Sequence, residues 1–317
     1  MRIRRETFFS LELPYREQLA LERTVFEGGA GPRLAVVSGI HGDELEGLYV
    51  CHRLAAFLEA LEKTQPEALL GAFELYPALN PLGLDTLTRA VPIYGVDLNR
   101  NFPGDGEGLL PHRVAAAAMR ALADAALVVD IHASNVYLRE IPQVRIARAF
   151  ADRLVPLARE MNLDFIWVHE ASTVLENTIA HSLNASGVPC LVVEMGVGMR
   201  VTPVFAEQVT IGILHAARAL GVLSEDLDLE PATHAPLVAH DGNVHYLNAE
   251  ISGLFVPNAA HWMAVGPGQR LGRILSPLGG EALAEVRSPI EGILFTLREY
   301  PLVYEGSLLA RIMEVRR

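Results

Sequence analysis

From residue 34 to residue 220 the chain alternates short apolar runs with longer stretches of helical period, and this alternation limits the fold more than any single motif does. Runs at 34–37, 72–78, 127–132, 165–168 and 190–194 have strand length, while 44–63, 111–123, 147–161, 175–186 and 203–220 have helix length. Continuously apolar strands separated by helices suit a mostly parallel or mixed sheet, because both of its faces are covered. The expectation is an α/β domain over residues 1–222 with helices on both faces. In such sheets, binding groups collect at the carboxyl ends of the strands.

The alternation stops near Val222. Residues 223–238 are acidic, then Pro-containing, and read as a linker; 239–317 holds short Gly-punctuated runs expected of a small all-β domain. That tail repeats itself. Ile251-Ser252-Gly253-Leu254-Phe255 is answered by Ile290-Glu291-Gly292-Ile293-Leu294, and the run from Gly268 to Ile274 by the run from Gly306 to Ile312. Two similar units predict a pseudo-symmetric sandwich that resembles the biotinyl/lipoyl barrel-sandwich domains. Such carriers need a lysine at a hairpin tip. Lys63 is the only lysine in the chain, so swinging-arm chemistry is excluded. A P-loop is absent for the same reason, and a Schiff-base enzyme would have to use Lys63, which no motif surrounds.

A formal net charge of -12 argues against a nucleic-acid partner. No stretch reaches the ~18 apolar residues of a membrane span, and no targeting segment is visible. Cys51 and Cys190 form neither a disulfide framework nor a CxxC pair. A cytoplasmic protein is expected, without membrane contact; assembly into a homo-oligomer stays open.

Three of the strand-length runs end on groups that carry chemistry. Val36–Val37 leads into His41-Gly42-Asp43-Glu44; Ala126–Val129 leads into Asp130-Ile131-His132; Leu191–Val193 leads into Glu194. Two histidines and one carboxylate are a known ligand set for a catalytic Zn²⁺ that keeps a fourth position open. His41 and Glu44, three residues apart, can share one side of a turn and grip one ion that His132 reaches from a neighbouring strand. A carboxylate must then move the proton of the metal-activated water, and Glu194 fits that need. Asp130 and His132 project to the same side of a strand, so Asp130 is placed to orient the imidazole from behind. Each of these signals is weak alone: HxxE is common by chance, and a lone strand-end histidine is usually just hydrogen-bonded.

Together with Asn80-Pro81 and Asp97-Leu98-Asn99-Arg100-Asn101-Phe102-Pro103-Gly104, these segments resemble the aspartoacylase/succinylglutamate desuccinylase family of the zinc carboxypeptidase clan. The resemblance implies a zinc carboxypeptidase-like fold and one Zn²⁺ per chain held by His41, Glu44 and His132, with Glu194 as general base. It further implies that Asn99 and Arg100 hold a substrate carboxylate, that Asp97 supports a zinc histidine, and that Arg89 polarises the scissile carbonyl. Aspartoacylase-like members also carry a basic residue shortly before the catalytic glutamate, for an acidic substrate side chain. Residues 178–187 have no Arg or Lys there, and His181 reads as a helix-surface residue, so aspartate- or succinate-type substrates are not expected.

The function expected is zinc-dependent hydrolysis of an amide in a small, carboxylate-bearing N-acyl amino acid or similar compound. The alternatives are a metallocarboxypeptidase for short or cell-wall-type peptides and, in another class, a non-catalytic metal-containing binding module.

Overall fold

A computed structural model describes residues 1–15, 18–170 and 176–315. The first eight strands are β1 (Arg2–Glu12), β2 (Gln18–Glu27), β3 (Arg33–Val37), β4 (Ala72–Tyr76), β5 (Leu127–Ala133), β6 (Leu138–Ala147), β7 (Phe165–His169) and β8 (Cys190–Gly196). The helices are α1 (Glu46–Thr64), α2 (Pro81–Thr86), α3 (Leu110–Leu122), α4 (Ala151–Arg159), α5 (Ile179–Ala185) and α6 (Pro203–Ala219). No helix among the described residues is long and apolar enough to cross a membrane.

The sheet is mixed, as expected. Strands β4, β3, β5 and β8 lie side by side and parallel, β6 joins β8 antiparallel, and β1 and β2 close the far edge. Alternate residues of β3 enter opposite cores: Leu34 and Val36 pack beneath α1 and α6, while Ala35 and Val37 pack beneath α3 and α5. Helices therefore cover both faces, and the five strands and five helices read from the sequence are all present. Helix α4 starts four residues later than its period suggested, because β6 runs on through Ala147. Of the stretch read as 175–186, Leu175 lies outside the described residues, and α5 begins at Ile179 after a Thr178 cap whose hydroxyl accepts from the His181 N–H.

Three strands were not read from the sequence. β1 and β2 form a charged edge hairpin in which few residues are buried. β6 carries Glu140, Pro142, Gln143 and Arg145, so it has neither the apolar run nor the clean alternation of a strand. A register shift between Glu140 and Gln143 accommodates the proline.

Beyond α6 come β9 (Leu237–His240), β10 (Val244–Asn248), β11 (Gly253–Pro257), β12 (Ala264–Val265), β13 (Arg270–Leu275), β14 (Ala282–Arg287), β15 (Gly292–Arg298), β16 (Leu302–Val303) and β17 (Leu308–Glu314). The internal repeat is visible in their pairing. β11 pairs β13 as β15 pairs β17, and the short strands cross over, β12 to β15 and β16 to β11. Gly268 and Gly306 occupy equivalent turns, with φ of 77° and 84°. β11 and β13 of the first copy, with β14 and the crossed-over β16, make a small antiparallel sheet. The second copy extends the large sheet, because β15 pairs β6 at Thr296↔Glu140 and Leu297↔Arg139. Phe255, Leu271, Ile274, Leu294, Leu309 and Ile312 fill the space between the two copies.

Candidate metal centre and its cavity

The parallel strands end together and so bring the sequence motifs to one place. In the β5–β8 ladder His132 stands directly opposite Glu194, and Asp130 opposite Val192. The chain leaving β3 turns through Gly39, at φ 62°, to deliver His41 and Glu44 beside them. Gly42 does not supply the bend: its φ is not positive, and a Cβ there would lie 2.0 Å from the Gly83 backbone carbon. It is small because the turn packs directly on α2.

His41, Glu44 and His132 are all buried, and one ligand atom from each lies within 4.8 Å of the others. Nδ1 of His41 is 2.8 Å from Oε1 of Glu44, and Nδ1 of His132 is 2.9 Å from its Oε2. The opposite ring nitrogens face other carboxylates: His41 Nε2 lies 3.0 Å from Asp97, and His132 Nε2 lies 3.0 Å from Asp130. This donor set fits a divalent metal. A carboxylate behind each ring fixes the proton on Nε2 and leaves the Nδ1 lone pair facing the Glu44 oxygens, where an ion would sit. Burial would raise the Glu44 carboxyl, but the two imidazoles hold it well below the usual carboxylate range. Asp97 is likewise held low, against its burial, by His41, Arg89 and Arg100.

Asp97 caps the short helical turn Leu98–Arg100 by accepting from the Asn99 N–H. The Asn99 side-chain oxygen accepts from the Ile179 N–H at 2.9 Å, which ties this loop to the start of α5 and leaves the Asn99 amide N–H groups for a ligand. Arg100 donates to the Asn99 carbonyl, and among the described residues no carboxylate pairs with it. Arg89 is committed, with 2.8 Å to Glu44 and 3.4 Å to Asp97.

All of these groups except Asp97 line one cavity of about 530 Å³ with Glu194. Burial pushes the Glu194 carboxyl above its ordinary value, against the pull of Arg145 and His132. That is the direction a proton-transferring base at neutral pH needs.

The cavity also contains residues that sequence reading did not single out. Arg145 and Glu140 come from β6, and Arg311 comes from β17. Arg145 bridges Glu140 at 3.0 Å and Glu194 at 3.2 Å. The one available signal was charge inside the segment now seen as β6, and no motif marked it. His181 also lines the cavity, its ring edge-on to Phe150 at 5.6 Å, so it faces the cavity and not the outer helix surface. Glu46, the first residue of α1, is fully buried and accepts from the Thr202 N–H.

Residues 30–220 match the family described as the succinylglutamate desuccinylase/aspartoacylase catalytic domain. Over 309 residues the chain is 26% identical to the N-alpha-acetyl-L-2,4-diaminobutyric acid deacetylase of Halomonas elongata, a match spanning 92% of this chain and 85% of that protein. Among solved structures, the product-bound ectoine utilization protein EutE (DoeB) from Ruegeria pomeroyi superposes with a TM-score of 0.82 at 22% identity, covering 99% and 95% of the two chains. A succinylglutamate desuccinylase/aspartoacylase from Rhodobacter sphaeroides gives 0.81 at 23% identity, covering 99% and 96%. At these identities the solved structures speak for the fold.

Proposed function

The chain belongs to the succinylglutamate desuccinylase/aspartoacylase family, and from that premise we propose that it is a zinc-dependent deacylase of small, carboxylate-bearing N-acyl amino acids. The observation that carries this reading is the convergence of His41, Glu44 and His132 with Glu194 and Arg100 in one cavity. The deacetylase named among its relatives supports the choice of an N-acyl amino acid.

A Zn²⁺ held by His41, Glu44 and His132 would supply Lewis acidity, bringing its water to a pKa of about 7 and polarising the acyl carbonyl. The protein's own residues do the rest. Arg100, whose guanidinium has no carboxylate partner among the described residues, takes the substrate carboxylate in a two-point contact, with the Asn99 amide beside it. Glu194 accepts a proton from the attacking water as its oxygen bonds to the acyl carbon. It then gives that proton to the amide nitrogen as the C–N bond breaks, leaving a carboxylic acid and a free amine; the acid's remaining proton passes to the amine, giving the carboxylate and the ammonium. Arg89 lies at the same rim and steadies the carbonyl oxygen once ligand binding at Glu44 frees its guanidinium.

The test is zinc-loaded protein assayed against N-acetyl amino acids, N-alpha-acetyl-L-2,4-diaminobutyrate among them, and against di- and tripeptides. Release of acetate is expected, with Glu194→Gln keeping its zinc and losing about 10³-fold in kcat. Preferential cleavage of the peptides would move the protein to the carboxypeptidase reading. Full turnover by Glu194→Gln would overturn the mechanism.

A further inference from the structure

Glu140 is 1% exposed, and both of its oxygens are fully used. Oε1 accepts from Arg145 at 3.0 Å and Arg311 at 2.7 Å; Oε2 accepts from Gln143 and from the Thr296 hydroxyl, both at 2.7 Å. The sheet register makes this cluster. Thr296 stands opposite Glu140 between β15 and β6, and Arg311 stands opposite Thr296 between β17 and β15. The three side chains therefore form one row across three strands, two of them from the C-terminal unit. The Trp167 ring lies against both guanidiniums, 5.5 Å from that of Arg145 and 5.6 Å from that of Arg311.

The row ends on Glu194. Arg145 gives one terminal nitrogen to Glu140 and the other to Oε1 of Glu194 at 3.2 Å, while among the described residues no hydrogen bond holds the second Glu194 oxygen. The charges alternate along the line: Glu194, Arg145, Glu140, Arg311. A buried ionic cluster is a weak device for stability alone, since well-packed apolar residues often do as well. It is a good device for holding one carboxylate in one orientation, because each guanidinium fork has a fixed plane.

We propose that the C-terminal β unit positions the base: Arg311 and Thr296 fix Glu140, Glu140 fixes the plane of Arg145, and Arg145 holds Glu194 by one oxygen with the other free to carry the proton. This rests on the reading of Glu194 as the base. Arg311, Thr296, Glu140 and Arg145 are positioning residues, and the C-terminal unit is a working part of the active site although it supplies none of the proposed metal ligands.

The experiment cuts the row at its far end with the double substitution Arg311→Met and Thr296→Val in the zinc-loaded, full-length protein. A fall in kcat of about tenfold is expected, with KM and zinc content unchanged. Adding Arg145→Gln to the double variant should cost no more than Arg145→Gln costs alone, because the effects run through one guanidinium. Arg311→Lys should recover most of the rate. A crystal structure of the double variant should show Arg145 turned away from Glu194 with His41, Glu44 and His132 in place. If the double variant fails to fold, Thr296→Val alone carries the test through the same structural and kinetic readings. Wild-type kcat, strictly additive losses, or an Arg145 still seated on Glu194 would each overturn the proposal. Full turnover by Glu194→Gln removes the base and this proposal with it; loss of turnover there, beside wild-type kcat in the double variant, overturns the positioning alone.

Discussion

The cavity has two walls, built by opposite means. One is the row of parallel strand ends: His41 and Glu44 stand in the turn just beyond β3, while Asp130 and His132 lie in the last residues of β5 and Glu194 close to the end of β8. The other is antiparallel: β6 and the C-terminal strands β15 and β17 carry Glu140, Arg145, Thr296 and Arg311 within their length. At a strand end, a polar side chain faces the cleft and can wait for a ligand. Inside a sheet, a charge must be satisfied by the protein itself, and here Glu140 makes four hydrogen bonds to do so. The first wall is therefore made to bind, the second to hold.

This contrast can be broken most sharply at the metal. His132→Ala should abolish stoichiometric zinc binding and turnover together. Asp130→Asn, which leaves the ligand but loosens its imidazole, should weaken zinc binding by roughly 10–100-fold. Metal analysis after dialysis against a graded chelator reads both. If Glu140→Gln stripped the metal as readily as His132→Ala, the division into a binding wall and a holding wall would be wrong.

Arg100 sharpens the contrast next, because it is the binding wall's cation without a carboxylate partner among the described residues. Arg100→Met should raise KM by about two orders of magnitude while leaving kcat within a few-fold, since a charge-assisted pair with substrate is worth about 2–3 kcal/mol. Arg100→Lys keeps the charge but loses the planar fork, and should fall between. A fall in kcat with KM unmoved would shift Arg100 from binding to chemistry.

The holding wall should reveal itself in stability. Glu140→Gln leaves two guanidiniums facing a neutral amide and should cost about 3 kcal/mol, as breaking a buried ion pair does. Its pH dependence has a definite sign. Burial favours the neutral acid, but Arg145 and Arg311 outweigh it and hold the Glu140 carboxyl below its ordinary value. A carboxylate depressed on folding stabilises above its unfolded pKa of about 4.3, and that contribution is lost as pH falls through the folded value. Urea titrations from pH 6 downward should therefore show the gap between wild type and Glu140→Gln narrowing below about pH 4. A gap independent of pH would mean that Glu140 acts through packing and not through charge.

The two walls also differ in how far they could be read without coordinates. Parallel strands announce themselves as apolar runs, and the groups that follow stand beside the motif, so the positions of His41, Glu44, His132 and Glu194 could be anticipated; their roles await the experiments above. β6 hid its character because Pro142 and four polar or charged residues interrupt any period. Arg311 could not have been joined to Glu140, 171 residues away, by any local pattern. What links them is strand register, and register between a catalytic sheet and a distant β unit is set by packing that no short window of sequence contains.

The smallest effect concerns the two copies of the C-terminal repeat. Gly268 and Gly306 have the same turn conformation, and a Cβ built on either would meet nothing within 4 Å. The local cost of alanine is then only that of placing a Cβ in the left-handed region, about 1 kcal/mol at each site. Equal losses in melting experiments on Gly268→Ala and Gly306→Ala are expected if the copies are independent in this respect. The copies are not equivalent in their surroundings, since the second is bonded directly to β6 through β15 and the first reaches the large sheet only through the short β12. A clearly larger loss for Gly306→Ala would mean that docking against β6 stiffens the turn and that strain there is passed along β17 toward Arg311. Equal stability losses combined with a lower kcat in Gly306→Ala alone would locate that strain in the row ending on Glu194.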